Sequence, residues 1–363
     1  MQWGRYLFRY LPFYLGGHLM KKKLLSAFVV GTIYFSSFLP LTQASCTLIG
    51  ATGSATVDKS AYMASTSDNP YIEGPRKPVL VTIPDNGYKY VSTPCFVKEK
   101  DGSFTNVGAD RGMNETGFSW TRSWVVPNEV EDINKTDAVK WFEKLASTVS
   151  SVDEAINFVE TTPKGIGCQG NYIFSDAKGN VAIVEVGFKT VTVAQKWNNN
   201  DNGYGARANR YETNSMKKID ISDKESAIYY NSSEYRYNEA MKLLKADDGK
   251  ISPDILKQIV SNRNMNADDS KPHSDSISNH GSISGTVSAE VYDPSHKIFW
   301  YTYGWPDGNV ENASEKQYGA NVNSWGTWIP FDLNKLNEPG FYTDWNGNIT
   351  PLGVKYLSSL LNK

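Results

Sequence analysis

Three lysines, Lys21-Lys22-Lys23, stand directly before an apolar stretch that runs from Leu24 to about Leu41, and the small residues Ala44 and Ser45 then lead into Cys46. A basic, then apolar, then small-residue order is that of an export signal. It divides the chain before any fold is considered. Residues 1–45 read as a leader, with 1–19 an upstream extension if Met20 is the start, and residues 46–363 as a single domain. By small-residue rules the preferred cut falls after Ala44, so exposing Cys46 requires a second trimming or self-cleavage at Ser45-Cys46. An uncleaved anchor is the alternative, because the apolar run approaches the roughly 17–20 residues that span a bilayer. A lipidated Cys46 fits Gln43-Ala44-Ser45 poorly. The expected location is secreted or periplasmic.

A cysteine at the first position of a mature chain has unusual chemistry. It carries a thiol and a free α-amine on one residue, and the amine, with a reference pKa of about 7.7–8.0, can take the thiol proton directly or through a water. Nucleophile and base then need no histidine.

Composition narrows the partners. The net charge is −2 with 21% charged residues, and no basic tract follows the leader, so there is no electrostatic case for nucleic acid. A membrane partner is expected only if the leader is retained. With four histidines and no HExxH or CxxC pattern, neither a metal nor another cofactor is expected. The remaining thiols, Cys95 and Cys168, read in an oxidising compartment either as one disulfide or as two buried free cysteines.

Periodicity gives strands first, at Ala61-Tyr62-Met63-Ala64, Val79 to Ile83 and Gly117 to Thr121, then helices at 137–148 and 152–160, the second opened by a capping box of Ser151 and Glu154. A hairpin or meander spans 171–196. Helices over 233–245 and 253–262 precede a polar loop at 264–279, and a hairpin of 286–293 with 297–303 leads to a terminal amphipathic helix at 354–361. Strands, then helices, then strands argue for an α+β layered domain in place of a βαβ repeat.

Cys46-Thr47, Ala55-Thr56-Val57-Asp58, Ser67-Asp68-Asn69, Gly112 to Gly117, Asn171 with Asp176 and Gly179, Ala208-Asn209-Arg210-Tyr211, Ser233 with Arg236, and Thr286 to Gly304 follow one another in an order that resembles N-terminal-nucleophile hydrolases of the penicillin acyltransferase, choloylglycine hydrolase and cysteine dipeptidase branch. The resemblance implies a four-layer αββα sandwich over 46–363, with the nucleophile at the end of the first strand and a small-molecule amide as substrate. It implies Cys46 as nucleophile, Asp68 as the carboxylate that holds the α-amine, Asn114 and Asn209 as amides near the reacting carbonyl, and Arg236 as an arginine near the nucleophile. Read without the resemblance, Asp68 is a turn residue, the asparagines are loop residues and Arg236 is a charge on a helix surface. There are departures from the pattern. Ser65-Thr66 stands where many relatives carry Arg-Asn, Lys59 replaces a glycine, and His280, in a loop, is a lesser candidate.

The expected activity is hydrolysis of linear amides through a thioester on Cys46. An acyltransferase or a dipeptidase would use the same nucleophile, and a non-catalytic binding protein would keep the fold without turnover.

Overall fold

The computed structural model describes residues 46–70, 77–98, 103–129, 137–221, 227–263, 276–279, 284–304, 326–345 and 347–361. The leader, its anchor alternative and His280 lie outside the described residues. Among the described residues no helix is long and apolar enough to cross a membrane.

In chain order the strands are β1 (Leu48–Gly53), β2 (Lys59–Pro70), β3 (Leu80–Thr82), β4 (Tyr90–Ser92), β5 (Phe96–Lys98), β6 (Phe104–Asn106), β7 (Arg111–Asn114), β8 (Ser119–Ser123), β9 (Gly170–Ser175), β10 (Val181–Val186), β11 (Val191–Trp197), β12 (Asn202–Arg207), β13 (Ser284–Asp293), β14 (Ile298–Tyr303), β15 (Ile329–Asp332) and β16 (Gly340–Phe341). The helices are α1 (Ala138–Thr148), α2 (Val152–Thr161), α3 (Asn214–Lys217), α4 (Ala227–Ala246), α5 (Pro253–Val260) and α6 (Pro351–Leu361). Two large antiparallel sheets result: a six-stranded one in the order β12-β1-β2-β13-β14-β15, and an eight-stranded one in the order β11-β10-β9-β8-β7-β4-β3-β16.

Strand alternation decides the layers, because successive side chains leave a strand on opposite faces. In β1 and β2, Leu48, Ala61 and Met63 pack with Ile173, Val181 and Ile183 of the other sheet, in the core between the sheets. On the outer face of the six-stranded sheet, Ile49, Ala51, Tyr62 and Ala64 meet Ala240 and Leu244 of α4 and Leu256, Ile259 and Val260 of α5. On the outer face of the eight-stranded sheet, Trp120, Tyr172 and Phe174 meet Trp141, Phe142 and Leu145 of α1 and Phe158 of α2. Helices, sheet, sheet, helices: this is the four-layer αββα sandwich expected from the sequence. The sheets approach closely at β1, where a Cβ on Gly50 would stand 2.9 Å from side-chain atoms of both Ile173 and Val181.

Local rules set the helix starts. Asp137 caps α1 by accepting from Lys140 N, and Ser252 caps α5 with Pro253 at its first turn. The capping box of α2 closes differently from expectation. Ser151 Oγ does accept from Glu154 N, at 3.3 Å, but the Glu154 carboxylate reaches the N–H and Oγ of Ser150, one residue further back. Helix α4 begins at Ala227, before the expected residue 233. Lys59, where a glycine was expected, takes φ +65, a left-handed conformation that costs an L-residue about 1–2 kcal/mol. Asp58 holds that turn through Ser60 N at 3.0 Å and the Tyr62 hydroxyl at 2.8 Å.

Candidate active site

Cys46 and Thr47 enter β1 at the end of the six-stranded sheet, buried on every side; Cys46 is 4% exposed. In the uncleaved chain the nitrogen of Cys46 is a peptide amide, standing in for the α-amine that cleavage would create. It donates to Asn209 Oδ1 at 2.7 Å. The Cys46 carbonyl accepts from Arg236 Nη1 at 2.6 Å. Backbone atoms on both sides of the thiol-bearing carbon are therefore fixed by side chains far away in sequence.

Arg236 is fully buried, not on a helix surface. Its Nη2 also donates to Asn209 Oδ1 at 3.0 Å, and its Nε and Nη2 contact Ser232 and Ser233 Oγ. Those serines lie four and three residues earlier on α4, the spacing that puts side chains on one helix face. Asn209 receives both donors at Oδ1 and gives an Nδ2 hydrogen to Trp124 O at 3.0 Å. Toward the nitrogen of Cys46 it thus presents its acceptor oxygen.

Asp68, on β2, is fully buried and pairs with Thr286 across β13; Thr286 Oγ1 donates to its Oδ1 at 2.7 Å. A register shift between Thr286 and Ser288 falls at this point, the kind of bulge that re-aims a side chain next to a site. Burial pushes the Asp68 carboxyl up to about 7 against the opposing effects of Arg236, the Thr286 hydrogen bond and Arg111. Its Oδ2 is buried with no hydrogen-bond partner among the described residues. The amide nitrogen of Cys46 goes to Asn209, and not to Asp68 as the resemblance implied.

Asn114 is not brought to Cys46. It shares the outer face of the eight-stranded sheet and serves α1: Nδ2 donates to Ala146 O at 2.9 Å and Val149 O at 2.7 Å, while Oδ1 accepts from the N–H and Oγ1 of Thr116. The last carbonyls of a helix lack partners within the helix, and Asn114 supplies them. Asn114→Ala is expected to lower stability by about 2–3 kcal/mol, the cost of orphaning two buried acceptors, with turnover per folded molecule unchanged. Chemical denaturation and active-site titration measure the two quantities.

Arg111 is the charged residue that the sequence reading passed over. It is fully buried on β7, donates Nη2 to Thr66 O at 3.1 Å, and lies 3.0 Å from Asp110 and 3.5 Å from Glu290 Oε2. Glu290 in turn accepts from Ser65 Oγ at 2.8 Å, so the serine at the departing position joins the same network. Burial lowers the affinity of Arg111 for its proton, but Asp110, Cys46 and Glu290 outweigh that and raise it. Burial likewise raises the Asp110 carboxyl, yet Arg111, Lys77 and Arg122 hold it below the ordinary range. The adjacent Asp110-Arg111, ending a loop and opening a strand, was the available signal.

Cys95 and Cys168 are free. Cys168 packs in the core under α1 and α2, and burial pushes its thiol up to about 11; Cys95 lies at the loop before β5, and burial raises it too. The disulfide considered from the sequence is absent. Among the described residues no group of three His, Cys, Asp or Glu could hold a metal ion.

The family model of acyl-coenzyme A:6-aminopenicillanic acid acyl-transferase matches residues 76–307. The chain belongs to this family. The acyl-transferase match begins downstream of Cys46 and Asp68 and includes Arg111, Asn209 and Arg236. A solved mutant of the conjugated bile acid hydrolase from Clostridium perfringens is similar at 14% identity, over 84% of this chain and 98% of that one, with a TM-score of 0.46. The penicillin V acylase from Agrobacterium tumefaciens is similar at 16% identity, over 71% of this chain and 83% of that one, with a TM-score of 0.41. Comparison with curated proteins gave no match.

Proposed function

We propose that this acyl-transferase family member is an exported cysteine amidohydrolase acting on linear amides of small molecules. The observation that carries the reading is the hold on residue 46: its nitrogen on Asn209 and its carbonyl on Arg236. Removal of residues 1–45 would turn that nitrogen into an α-amine beside the thiol. The amine takes the thiol proton, and the Cys46 sulfur adds to the amide carbonyl. The carbon–nitrogen bond then breaks, with the proton passing to the leaving amine, and a thioester remains on Cys46. A water deprotonated by the α-amine attacks the thioester, releases the acid and restores the thiol. Asp68 faces this site as a buried acceptor suited to an ammonium.

Acyl transfer is the second reading, favoured by the family description. It differs only in the final acceptor, an amine in place of water.

Intact mass spectrometry tests both. Active protein is expected to begin at Cys46 and, quenched during turnover of an acyl amide, to carry the acyl group on the Cys46 peptide. Adding a competing amine diverts product from free acid to new amide if transfer is the activity. Fully active protein that begins elsewhere, or an acyl adduct on another residue, overturns the mechanism.

A further inference from the structure

On the face between the sheets, β9 and β10 give Ile173, Val181 and Ile183 to the core, while β8 turns the buried polar residues Ser119, Thr121 and Ser123 to that side. At one end of the three strands, polar side chains stand in directly paired positions. Ser123 of β8 pairs with Asn171 of β9, and Asn171 pairs with Glu185 of β10. All three are fully buried. Burying a carboxylate and an amide costs free energy unless their partners are supplied, so what they hold matters.

They hold one segment. Ser123 Oγ donates to Ala208 O at 2.5 Å, and Asn171 Nδ2 donates to Ala208 O at 2.7 Å and to Arg210 O at 2.9 Å. Asn209 is thus pinned by the carbonyls on either side of it. Glu185 clamps the ends of the same segment: Oε1 takes Arg207 Nε at 2.9 Å and Glu212 N at 3.0 Å, and Oε2 takes Thr213 N at 3.1 Å and Thr213 Oγ1 at 2.6 Å. The segment leaves β12, in the opposite sheet, and carries Asn209 Oδ1 to the nitrogen of Cys46.

We propose that Ser123, Asn171 and Glu185 form a positioning row that fixes Asn209, and through it the nitrogen that serves as base, for acylation of Cys46. The proposal rests on the reading of Cys46 as an N-terminal nucleophile. None of the three touches the reacting atoms. Each acts by setting where Oδ1 of Asn209 stands, and a displacement of about 1 Å at a catalytic group costs on the order of 100-fold.

The test uses processed protein and p-nitrophenyl acetate, whose nitrophenol burst reports acylation of the nucleophile. Ser123→Ala and Asn171→Ala are expected to slow the burst by about 10–100-fold with its amplitude kept near one per folded chain and the half-saturating ester concentration within about 2-fold. The pH dependence of the burst rate should also move, because the base is misplaced. Ser123→Thr keeps the donor and should return the rate to within about 3-fold of the parent. A purely structural role would lower amplitude and leave rate and pH dependence unchanged in the molecules that fold, and that result overturns the proposal. Should Asn171→Ala fail to fold, the Ala and Thr variants of Ser123 decide alone. Cys46→Ala separates the two levels: a full burst from it sinks the nucleophile reading, whereas a silent Cys46→Ala beside full-rate Ser123→Ala sinks only the row.

Discussion

Cys46→Ala is expected to lose amide turnover by on the order of 10⁴–10⁶-fold, the scale seen when a covalent nucleophile is removed from a site whose parts act as a unit. The fold should survive. An alanine at 46 keeps both backbone contacts, to Asn209 and to Arg236, and loses only the thiol. Cys46→Ser should also lose most turnover, since a hydroxyl is a far weaker acid than a thiol under the same base. Steady-state rates of variants with matching circular dichroism and thermal midpoints give the answer. Turnover by Cys46→Ala within tenfold of the parent would remove the thioester from the mechanism.

The second large effect concerns Asp68 and pH. In the uncleaved chain burial pushes its carboxyl up to about 7, from 3.8, so between those values the native state binds a proton that the unfolded state has released. Stability therefore falls as pH rises through the window from about 4 to 7, and by linkage the loss is about 1.4 kcal/mol per unit, on the order of 4 kcal/mol in all. Uncleaved Cys46→Ala protein is expected to lose stability between pH 5 and pH 8 in urea titrations, and Asp68→Asn in that background to flatten the loss. Cleavage should shrink the loss, because a new α-ammonium nearby favours the ionised carboxylate and lowers its raised pKa. In processed, active enzyme the same Asp68→Asn change should cost about 100-fold in turnover and displace the acid limb of the rate profile. Identical pH–stability curves for parent and Asp68→Asn would return Asp68 to an inert core residue.

How much of this was legible in the sequence follows from the range of the forces involved. The helices at 138–148 and 253–260 carry their own caps, Asp137 and Ser252, and apolar residues at helical spacing, so local chemistry placed them. The hairpin of β13 and β14 was bounded by its own turn. Asn114 misled because its neighbours, Gly112 to Gly117, match a family segment, while its actual task depends on where α1 ends, which no local pattern states. Arg111 was passed over for a related reason. A buried arginine looks like a surface one until Glu290 of β13 and the carbonyl of Thr66 on β2 are brought around it to join its neighbour Asp110. The polar row of Ser123, Asn171 and Glu185 was invisible because register, not sequence order, aligns it.

The position of β1 has a consequence for synthesis. It is made early, yet one of its two neighbours is β12, whose residues 202–207 emerge only after seven of the eight strands of the other sheet, all but β16, have been translated. Until then β1 has an unpaired edge on a strand of small and apolar residues, Leu48-Ile49-Gly50-Ala51, the kind of edge that recruits other chains. The contacts to Cys46 span 163 and 190 residues, so its backbone is held only once Asn209 and Arg236 have been made and packed. A nascent or truncated chain ending before β12 carries Cys46 without these partners and β1 with one edge open, and its hazard is aggregation.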